Sequence, residues 1–340
     1  MTQKKKRRWL RVLGIGCGTL VLAVILLVVA IGLQVREMTS PVELTDHHPF
    51  KSAAKKARYL AHYDERASRW PVPSDEVFVD TSWGATFVRI SGPVEGSPLV
   101  LLPGANATSL MWEPNIGAWA RKYRVFAVDN IFDFGRSVYV RNLTTPDDYV
   151  DWLDQLLDGL ELDDVNLLGL SYGGWIASRF GLDRPGRLDK LVLVAPAATV
   201  AWFSDDFIKQ GIMCLIPHPH FVKKMVYWAL HDAADGTPDE KRRVEEAADN
   251  AWLGLRSFKL RQMVHPTVLS DEEIASFEVP VLFIVGENEV IYSITAREAV
   301  ERLNRVSPEI ETELFPDCGH DVSLHRADRF NQRVIEFLEE

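Results

Sequence analysis

A serine flanked by small residues is the strongest chemical signal in this sequence of 340 residues. Ser171 is the centre of residues 169–173, which read Gly-Leu-Ser-Tyr-Gly, after the apolar run 165–168 and before a segment of helical periodicity. A serine on such a strand-to-helix turn projects from the sheet, and small residues two positions away let the chain turn without collision. The helix N-terminus adds positive potential where an oxyanion would form. We predict Ser171 as a nucleophile.

A serine hydroxyl needs a general base, because it is un-ionised at neutral pH. Of nine histidines, His320 is the best placed, at the end of residues 315–320 and after the apolar strand 310–315 near the end of the chain. After a nucleophile turn of this kind, the histidine of the triad comes last in chain order. We therefore predict His320 as the base.

A third group must orient the histidine. Residues 286–290, Gly-Glu-Asn-Glu-Val, follow the apolar run 281–285 and offer two carboxylates, Glu287 and Glu289. The loop after the preceding apolar run, residues 195–198, has no carboxylate. The residues alone leave both glutamates open.

The elements that must position these groups show a regular alternation. Short apolar runs, mostly bounded by charge, Gly or Pro, predict strands covered on both faces of a parallel sheet. These runs are 98–102, 124–128, 165–168, 190–194 and 281–285, and helical segments lie at 147–160, 172–184 and 295–306. Residues 77–79 and 86–90 predict an antiparallel pair before them. The alternation predicts a doubly wound α/β domain.

One interval interrupts this alternation. About 80 residues, 196–277, pass without a buried strand and are rich in Trp and Phe. Helical segments are predicted there at 207–214, 221–230, 238–253 and 256–264. We predict an inserted cap that covers the site and supplies most of the substrate selection.

With these motifs in place, the sequence resembles the α/β-hydrolase superfamily, in its esterase-like and lipase-like branch with a helical cap, over about residues 77–338. The resemblance implies the α/β-hydrolase fold, a mostly parallel doubly wound sheet with a helical cap insertion. It also implies that the acid stands three residues after Gly286, which selects Glu289 and leaves Glu287 as the fallback. No cofactor and no metal site are implied.

The resemblance also locates an oxyanion hole. Residues 101–106, Leu-Leu-Pro-Gly-Ala-Asn, match the family's loop that usually reads His-Gly-X, with Pro103 in the place of the histidine. The backbone N–H groups of Ala105 and Tyr172 would be the donors. Asn106 would contribute either a side-chain donor or a turn-stabilising contact.

A further loop, residues 129–137, resembles the family's segment after the next strand, which holds backbone beside the active site. By that resemblance Asp129, Gly135 and Ser137 are structural and are excluded from catalysis.

The N-terminus has a different composition. Residues 1–11 are basic, and 12–33 is a run of 22 residues without an ionisable side chain other than Cys17, long enough to cross the hydrocarbon layer. The length of this run predicts a transmembrane helix. The basic residues before it predict its orientation, with a cytoplasmic N-terminus and an extracytoplasmic catalytic domain. The alternative is a cleaved signal peptide, whose apolar part is usually shorter. Residues 34–75 are predicted as a linker with a helix at about 51–70, and 76–340 as the hydrolase domain.

Charge and cysteine content exclude other classes. The net charge is −10, and it is −16 without the six basic residues of the N-terminus, so nucleic acid is an unsuitable partner. Cys214 and Cys318 either pair or are free, and no Cys or His spacing indicates a metal. The oligomeric state is open.

These residues predict a serine hydrolase, most simply a carboxylic ester hydrolase that acts on a small-molecule or lipid-derived ester. The same triad also serves thioesterases, lipases, amidases, lactonases and carbon–carbon hydrolases. A binding module without catalysis on the same fold is the alternative of a different class.

Overall fold

A computed structural model describes Met38 and residues 40–216 and 218–340. The predicted tail 1–11 and transmembrane segment 12–33 lie outside the described residues. Within the described part of the chain, no helix combines the length and apolar character that crossing a bilayer requires.

The chain divides into two compact units. The described residues of the smaller one are Met38, Ser40, Pro41 and Lys259–Gln262, and in it the Arg261 guanidinium donates to the carbonyl of Ser40 at 2.7 Å. Val42–Phe258 and Met263–Glu340 form the larger one, which holds all the candidate site residues.

The larger unit is built on a nine-stranded sheet of the described residues. Its strands are β1 (Ser74–Thr81), β2 (Gly84–Ser91), β3 (Pro98–Leu102), β4 (Arg124–Val128), β5 (Val138–Tyr139), β6 (Val165–Leu170), β7 (Leu188–Val194), β8 (Val281–Gly286) and β9 (Glu311–Phe315). The order is β1-β2-β4-β3-β6-β7-β8-β9, with β5 on β2. The pairs β1–β2, β2–β4 and β2–β5 are antiparallel and the others are parallel.

Twelve helices are described around this sheet. They are α1 (Ala53–Ala67), α2 (Glu113–Trp119), α3 (Pro146–Gly159), α4 (Tyr172–Asp183), α5 (Asp205–Met213), α6 (Pro219–Ala229), α7 (His231–Asp235), α8 (Pro238–Ser257), α9 (Asp271–Ala275), α10 (Ala296–Val306), α11 (Val322–His325) and α12 (Ala327–Glu339).

Both faces of the sheet are buried, as the unbroken apolar runs predict. In β8, Phe283 belongs to the apolar cluster that contains Trp175 of α4, whereas Ile284 belongs to the cluster with Trp119 of α2 and Phe330 of α12. Alternate side chains of a strand point to opposite faces, so each face has its own core. Full burial of one such side chain contributes about 1.5–3 kcal/mol.

The helix predicted at 51–70 is α1, which is part of the larger unit. Ser52 caps it by accepting the backbone N–H of Lys55 at 3.3 Å. Tyr59 and Tyr63 are fully buried, and the hydroxyl of Tyr63 lies 3.1 Å from that of Ser109. The aromatic side of α1 is therefore part of the core.

Helices α5 to α9 form the insertion between β7 and β8. The prediction of a helix at 256–264 is wrong, because α8 ends at Ser257 and Phe258 is extended at φ −82° and ψ 150°. The Phe258 ring packs against Phe50 and Tyr59, with centroid distances of 4.2 and 4.8 Å. Tertiary packing of this aromatic side chain outweighs the local helical pattern.

The topology brings the three predicted triad positions to one edge. Ser171 follows β6, Glu289 lies three residues after β8, and His320 lies five residues after β9. Strands β6, β7, β8 and β9 are consecutive parallel neighbours, so their carboxyl ends meet at the same side of the sheet. This is where α/β sheets place their ligands.

Candidate active site

Ser171 occupies a constrained turn between β6 and α4. Its φ of 52° and ψ of −115° lie in a region that non-glycine residues rarely adopt. The surrounding backbone holds it there: the N–H of Ser171 donates to Val194 at 2.9 Å, and its carbonyl accepts from Trp175 and Ala197 at 3.0 and 2.9 Å. Ser171 as a whole residue is half-buried.

The glycines around Ser171 have a steric reason. A Cβ on Gly169 would lie 2.2 Å from the carbonyl oxygen of Gly173. A Cβ on Gly173 would lie 2.4 and 2.5 Å from the carbonyl oxygens of Leu102 and Pro103. The absence of side chains lets the turn close and lets it approach the predicted oxyanion loop.

The structure brings Glu289 and His320 together. His320 Nδ1 lies 2.9 Å from Glu289 Oε2, and both side chains are buried. The second oxygen, Oε1, accepts the backbone N–H of Ile291 at 2.8 Å. Because Glu289 takes Nδ1, Nε2 is the ring nitrogen that remains for Ser171.

Backbone contacts join the two loops that carry this pair. The N–H groups of Glu287 and Asn288 donate to the carbonyls of Phe315 and Cys318 at 2.8 and 2.9 Å. A Cβ on Gly286 would lie 2.2 Å from the carbonyl oxygen of Gly319, which allows this close approach.

Glu287, the fallback acid, points elsewhere. Its carboxylate accepts from the Arg297 guanidinium at 2.8 Å, and both side chains are well exposed. The geometry therefore favours Glu289 as the partner of His320.

The charge environment of His320 suits a base. Burial by itself lowers the pKa of the imidazole, but the adjacent Glu289 charge and hydrogen bond, followed by the charge of Asp321, outweigh it. The pKa of His320 is thus raised from its ordinary value of 6.5. A carboxylate that raises the proton affinity of the ring assists proton removal from a serine.

The hydroxyl of Ser171 and the imidazole of His320 are not hydrogen-bonded to each other in this structure. Among the described residues, no hydrogen bond joins the serine hydroxyl to the imidazole. Catalytic hydrogen bonds often tighten only when substrate is bound.

The predicted oxyanion loop lies against the nucleophile. A Cβ on Gly104 would lie 3.4 Å from that of Ser171. In the part of the chain that the structure describes, the N–H groups of Ala105 and Tyr172 donate to no other residue. Both remain free to donate to an anion.

The model of the alpha/beta hydrolase family matches residues 99–333, which is more than half of the sequence. The chain belongs to this family.

Two carboxylesterases of Bacillus subtilis are similar over most of their length. Carboxylesterase YbfK is 32% identical over 296 residues, covering 87% of this chain and 98% of the relative. The uncharacterized carboxylesterase nap is 34% identical over 282 residues, covering 83% and 92%. The crystal structure of naproxen esterase from the same organism has a TM-score of 0.77 at 33% identity, covering 87% of this chain and all of that one.

Side chains of the loop 129–137 form hydrogen bonds with neighbouring backbone groups, the structural role that the resemblance implies. The buried carboxylate of Asp129 accepts the N–H groups of Ser109 and Arg136 at 2.7 and 2.9 Å. Ser137 donates to the carbonyl of Asp129 at 2.6 Å. A Cβ on Gly135, whose φ is 130°, would lie 2.5 Å from the Asp129 carboxylate.

Asp133 and Asn250 are site residues that the sequence did not single out. The buried carboxylate of Asp133 and the amide of Asn250 both bind the backbone of Asn106, in the oxyanion loop. Burial, opposed by bonds from the N–H groups of Phe134 and Asn106, raises the pKa of Asp133 to about 7. The signal that could have identified Asp133 is its position in the loop 129–137, which the resemblance places beside the active site.

The cap of this hydrolase is hydrogen-bonded to each of the four loops that carry the predicted nucleophile, base, acid and oxyanion hole. Ser204 Oγ donates to Val290 in the acid loop at 2.7 Å. The N–H of Ala233 donates to Asp321, next to the base, at 2.7 Å. The hydroxyl of Tyr172, next to the nucleophile, donates to the carbonyl of Val264 at 2.8 Å. Asn250 supplies the fourth contact.

The two cysteines of the larger unit, Cys214 and Cys318, are free thiols. In the described ranges, no group of three or more His, Cys, Asp or Glu side chains is arranged to hold a metal ion.

Proposed function

We propose that this hydrolase cleaves carboxylic esters through an acyl-enzyme on Ser171. The observation that carries the proposal is the buried Glu289–His320 pair at 2.9 Å, on the sheet edge where Ser171 stands. The bond type is supported by the two carboxylesterase relatives, which agree with the prediction of an ester hydrolase.

The chemistry follows the triad mechanism. Ser171 attacks the ester carbonyl while His320 takes its proton, and Glu289 stabilises the imidazolium that forms. The N–H groups of Ala105 and Tyr172 donate to the oxyanion of the tetrahedral intermediate. His320 then gives the proton to the leaving alcohol. Water attacks the acyl-enzyme by the same route and releases the acid.

The test uses the full-length chain in detergent with short-chain nitrophenyl esters and a fluorophosphonate probe. The wild type should turn over the esters and be labelled at Ser171, whereas Ser171→Ala should lose both. Ser178→Ala is the matched control, because Ser178 is a buried serine of helix α4, which begins directly after Ser171, and its hydroxyl donates to the carbonyl of Trp175 at 2.8 Å. A folded wild type that neither turns over nor is labelled would refute the proposal.

The substrate class is tested by acyl chain length. A steep preference for long acyl chains supports lipid-derived esters, and activity confined to acetyl and butyryl esters supports small-molecule esters. The same series, with thioester and amide analogues of the best ester, separates ester hydrolysis from the alternative activities.

We also propose that residues 12–33 anchor the enzyme in a membrane, with residues 1–11 in the cytoplasm and the catalytic domain outside. The support is the uncharged length of this segment and the basic residues before it. In cells, the full-length chain should stay in the membrane fraction after alkaline carbonate extraction. A C-terminal tag should be accessible to protease from outside only. Release into the soluble fraction would contradict the anchor.

A further inference from the structure

The oxyanion loop has one residue in an unusual conformation. Asn106 has a φ of 60°, in the left-handed region, which asparagine tolerates better than most residues but which still needs support. The side chain of Asn106 is exposed. Its backbone, in contrast, is held on both sides.

Two side chains from distant parts of the chain hold this backbone. Asp133, after β4, accepts the N–H of Asn106 at 2.8 Å. Asn250, in cap helix α8, donates to the carbonyl of Asn106 at 2.9 Å. These are a carboxylate acceptor and an amide donor, so each matches the group that it binds.

Both holders are themselves oriented. Asn250 is 2% exposed, and its Oδ1 accepts the hydroxyl of Tyr59 at 3.0 Å, which fixes the amide with its N–H₂ toward Asn106. The other oxygen of Asp133 accepts the N–H of Phe134 at 2.7 Å. Neither side chain can turn away without leaving a buried polar group unpaired, which is costly.

The turn that contains Asn106 constrains the direction of the neighbouring donor, the N–H of Ala105. The N–H of Ala107 donates to the carbonyl of Gly104 at 3.2 Å, which closes a turn around Ala105 and Asn106. In a planar trans peptide the C=O and N–H point to opposite sides. The carbonyl of Gly104 points into the turn, so the N–H of Ala105 points away from it.

We propose that Asn250 and Asp133 are positioning residues of the oxyanion hole, which fix Asn106 and thereby aim the N–H of Ala105. The inference rests on the proposed ester hydrolysis. Through Asn250 the cap helix takes part in stabilising the transition state.

The test compares full-length Asn250→Asp with the wild type on nitrophenyl butyrate. The substitution keeps the shape and the acceptor for Tyr59, but it places an oxygen against the carbonyl of Asn106. We expect kcat to fall about 10- to 100-fold, as for small misplacements of catalytic groups, with KM within about twofold. The affinity for a boronic acid, whose serine adduct is tetrahedral, should fall by a similar factor.

Asn166→Asp is the matched control. Asn166 is also 2% exposed, and its amide donates to the carbonyl of Pro98 at 3.3 Å, but it lies at the opposite end of β6 from Ser171. Both variants place a carboxylate in a buried amide site. Only Asn250→Asp should lower the affinity for the boronic acid while leaving KM unchanged.

A second pair of variants tests the joint role. Tyr59→Phe removes the hydroxyl that orients Asn250, and we expect a smaller loss of kcat with the same KM. If Asn250→Asp fails to fold, this variant decides. Asp133→Asn should also lower kcat, and in combination with Asn250→Asp the loss should be smaller than the product of the single losses, because both act on Asn106.

The outcomes separate the two proposals. An active wild type whose kcat is unchanged in Asn250→Asp and Tyr59→Phe, or whose loss lies in KM alone, overturns the positioning role and leaves the ester hydrolase intact. A wild type without turnover or labelling overturns the proposed function, and the inference with it.

Discussion

Asp321, the residue that follows the candidate base His320, accepts the backbone N–H of Ala233 in the cap at 2.7 Å. Its carboxylate is 1% exposed and also accepts the N–H of Gly319 at 3.3 Å. The ring of His231 packs on the same loop, with its Cε1 2.9 Å from where a Cβ on Gly319 would be. One buried carboxylate therefore joins the base loop to the cap and adds negative charge beside the imidazole.

The first prediction concerns the pH dependence of activity. Proton transfer from Ser171 requires neutral His320, so kcat/KM should rise with pH and level off above the raised pKa of this histidine. Asp321→Asn keeps an acceptor for Ala233 but removes one charge that raises the pKa. The acidic limb of its profile should move to lower pH than that of the wild type, as measured by ester hydrolysis from pH 5 to 9. An unshifted limb would contradict this role of Asp321.

Glu289→Gln should be severely impaired. The amide can keep the shape of the acid but cannot stabilise the imidazolium, and such changes lower kcat about 10³- to 10⁴-fold in other triads. Glu287→Gln is the control two residues away, because it loses only an exposed ion pair with Arg297, and it should stay within about twofold. Steady-state kinetics on a nitrophenyl ester measures both. Equal losses in the two variants would remove the assignment of Glu289.

Asp133→Asn should change how stability depends on pH. Burial raises the pKa of Asp133 from 3.8 to about 7, so the folded state keeps a proton that the unfolded chain releases. The stability contributed by this group is complete below about pH 3.8 and is lost as the pH rises to about 7, by ~4 kcal/mol in total. Relative to Asp133→Asn, the wild type should lose about 2–3 kcal/mol between pH 5 and 8.

Urea unfolding of both proteins at the two pH values measures this difference. The groups that face Asp133 are Asp129 and the hydroxyls of Tyr59, Tyr149 and Tyr172, and they are present in both proteins. The pH-dependent contributions of these groups to stability largely cancel in the difference between the wild type and Asp133→Asn. A wild-type-to-variant difference that does not vary with pH would show that Asp133 titrates near its ordinary value.

Gly173→Ala should damage the turn that carries the nucleophile. Its Cβ would meet two backbone oxygens at 2.4 and 2.5 Å, and backbone cannot move aside as a flexible side chain can. We expect a stability loss of about 1–3 kcal/mol and a large loss of fluorophosphonate labelling. Gly117→Ala, in helix α2, where the new methyl group would meet no atom within 4 Å beyond its chain neighbours and the helix backbone, should instead stabilise by about 0.5–1 kcal/mol. Thermal unfolding and labelling rates distinguish the two.

The sequence predicts the fold well because buried parallel strands leave a strong local pattern. Uninterrupted apolar runs mark β3, β4, β6, β7 and β8, and most of them are bounded by charge, Gly or Pro. The short strand β5 was not predicted, because two residues carry no periodicity. The helix predicted at 256–264 failed because Phe258 is placed by aromatic neighbours distant in sequence.

The site residues that lie directly after predicted strands could be identified from the sequence. Ser171 and His320 stand at turns with recognisable composition, whereas Glu287 and Glu289 differ by only two positions after the same strand. The close approach of Gly286 and Gly319 and the exposure of Glu287 distinguish them in three dimensions. Asn250 could not be found from the sequence, because its partner Asn106 is 144 positions away and the contact is to backbone.

The hydrogen bonds between the cap and the four catalytic loops limit how this protein can diversify. A cap exchanged with that of a relative would bring new pocket walls, but it would also have to reproduce the contacts made by Ser204, Ala233, Asn250 and Val264. Chimeras that lack them would lose turnover on every ester, including those that the new cap accommodates. Evolution of selectivity in this protein is therefore expected at cap positions between these four attachment points, where residues can change without disturbing the chemistry.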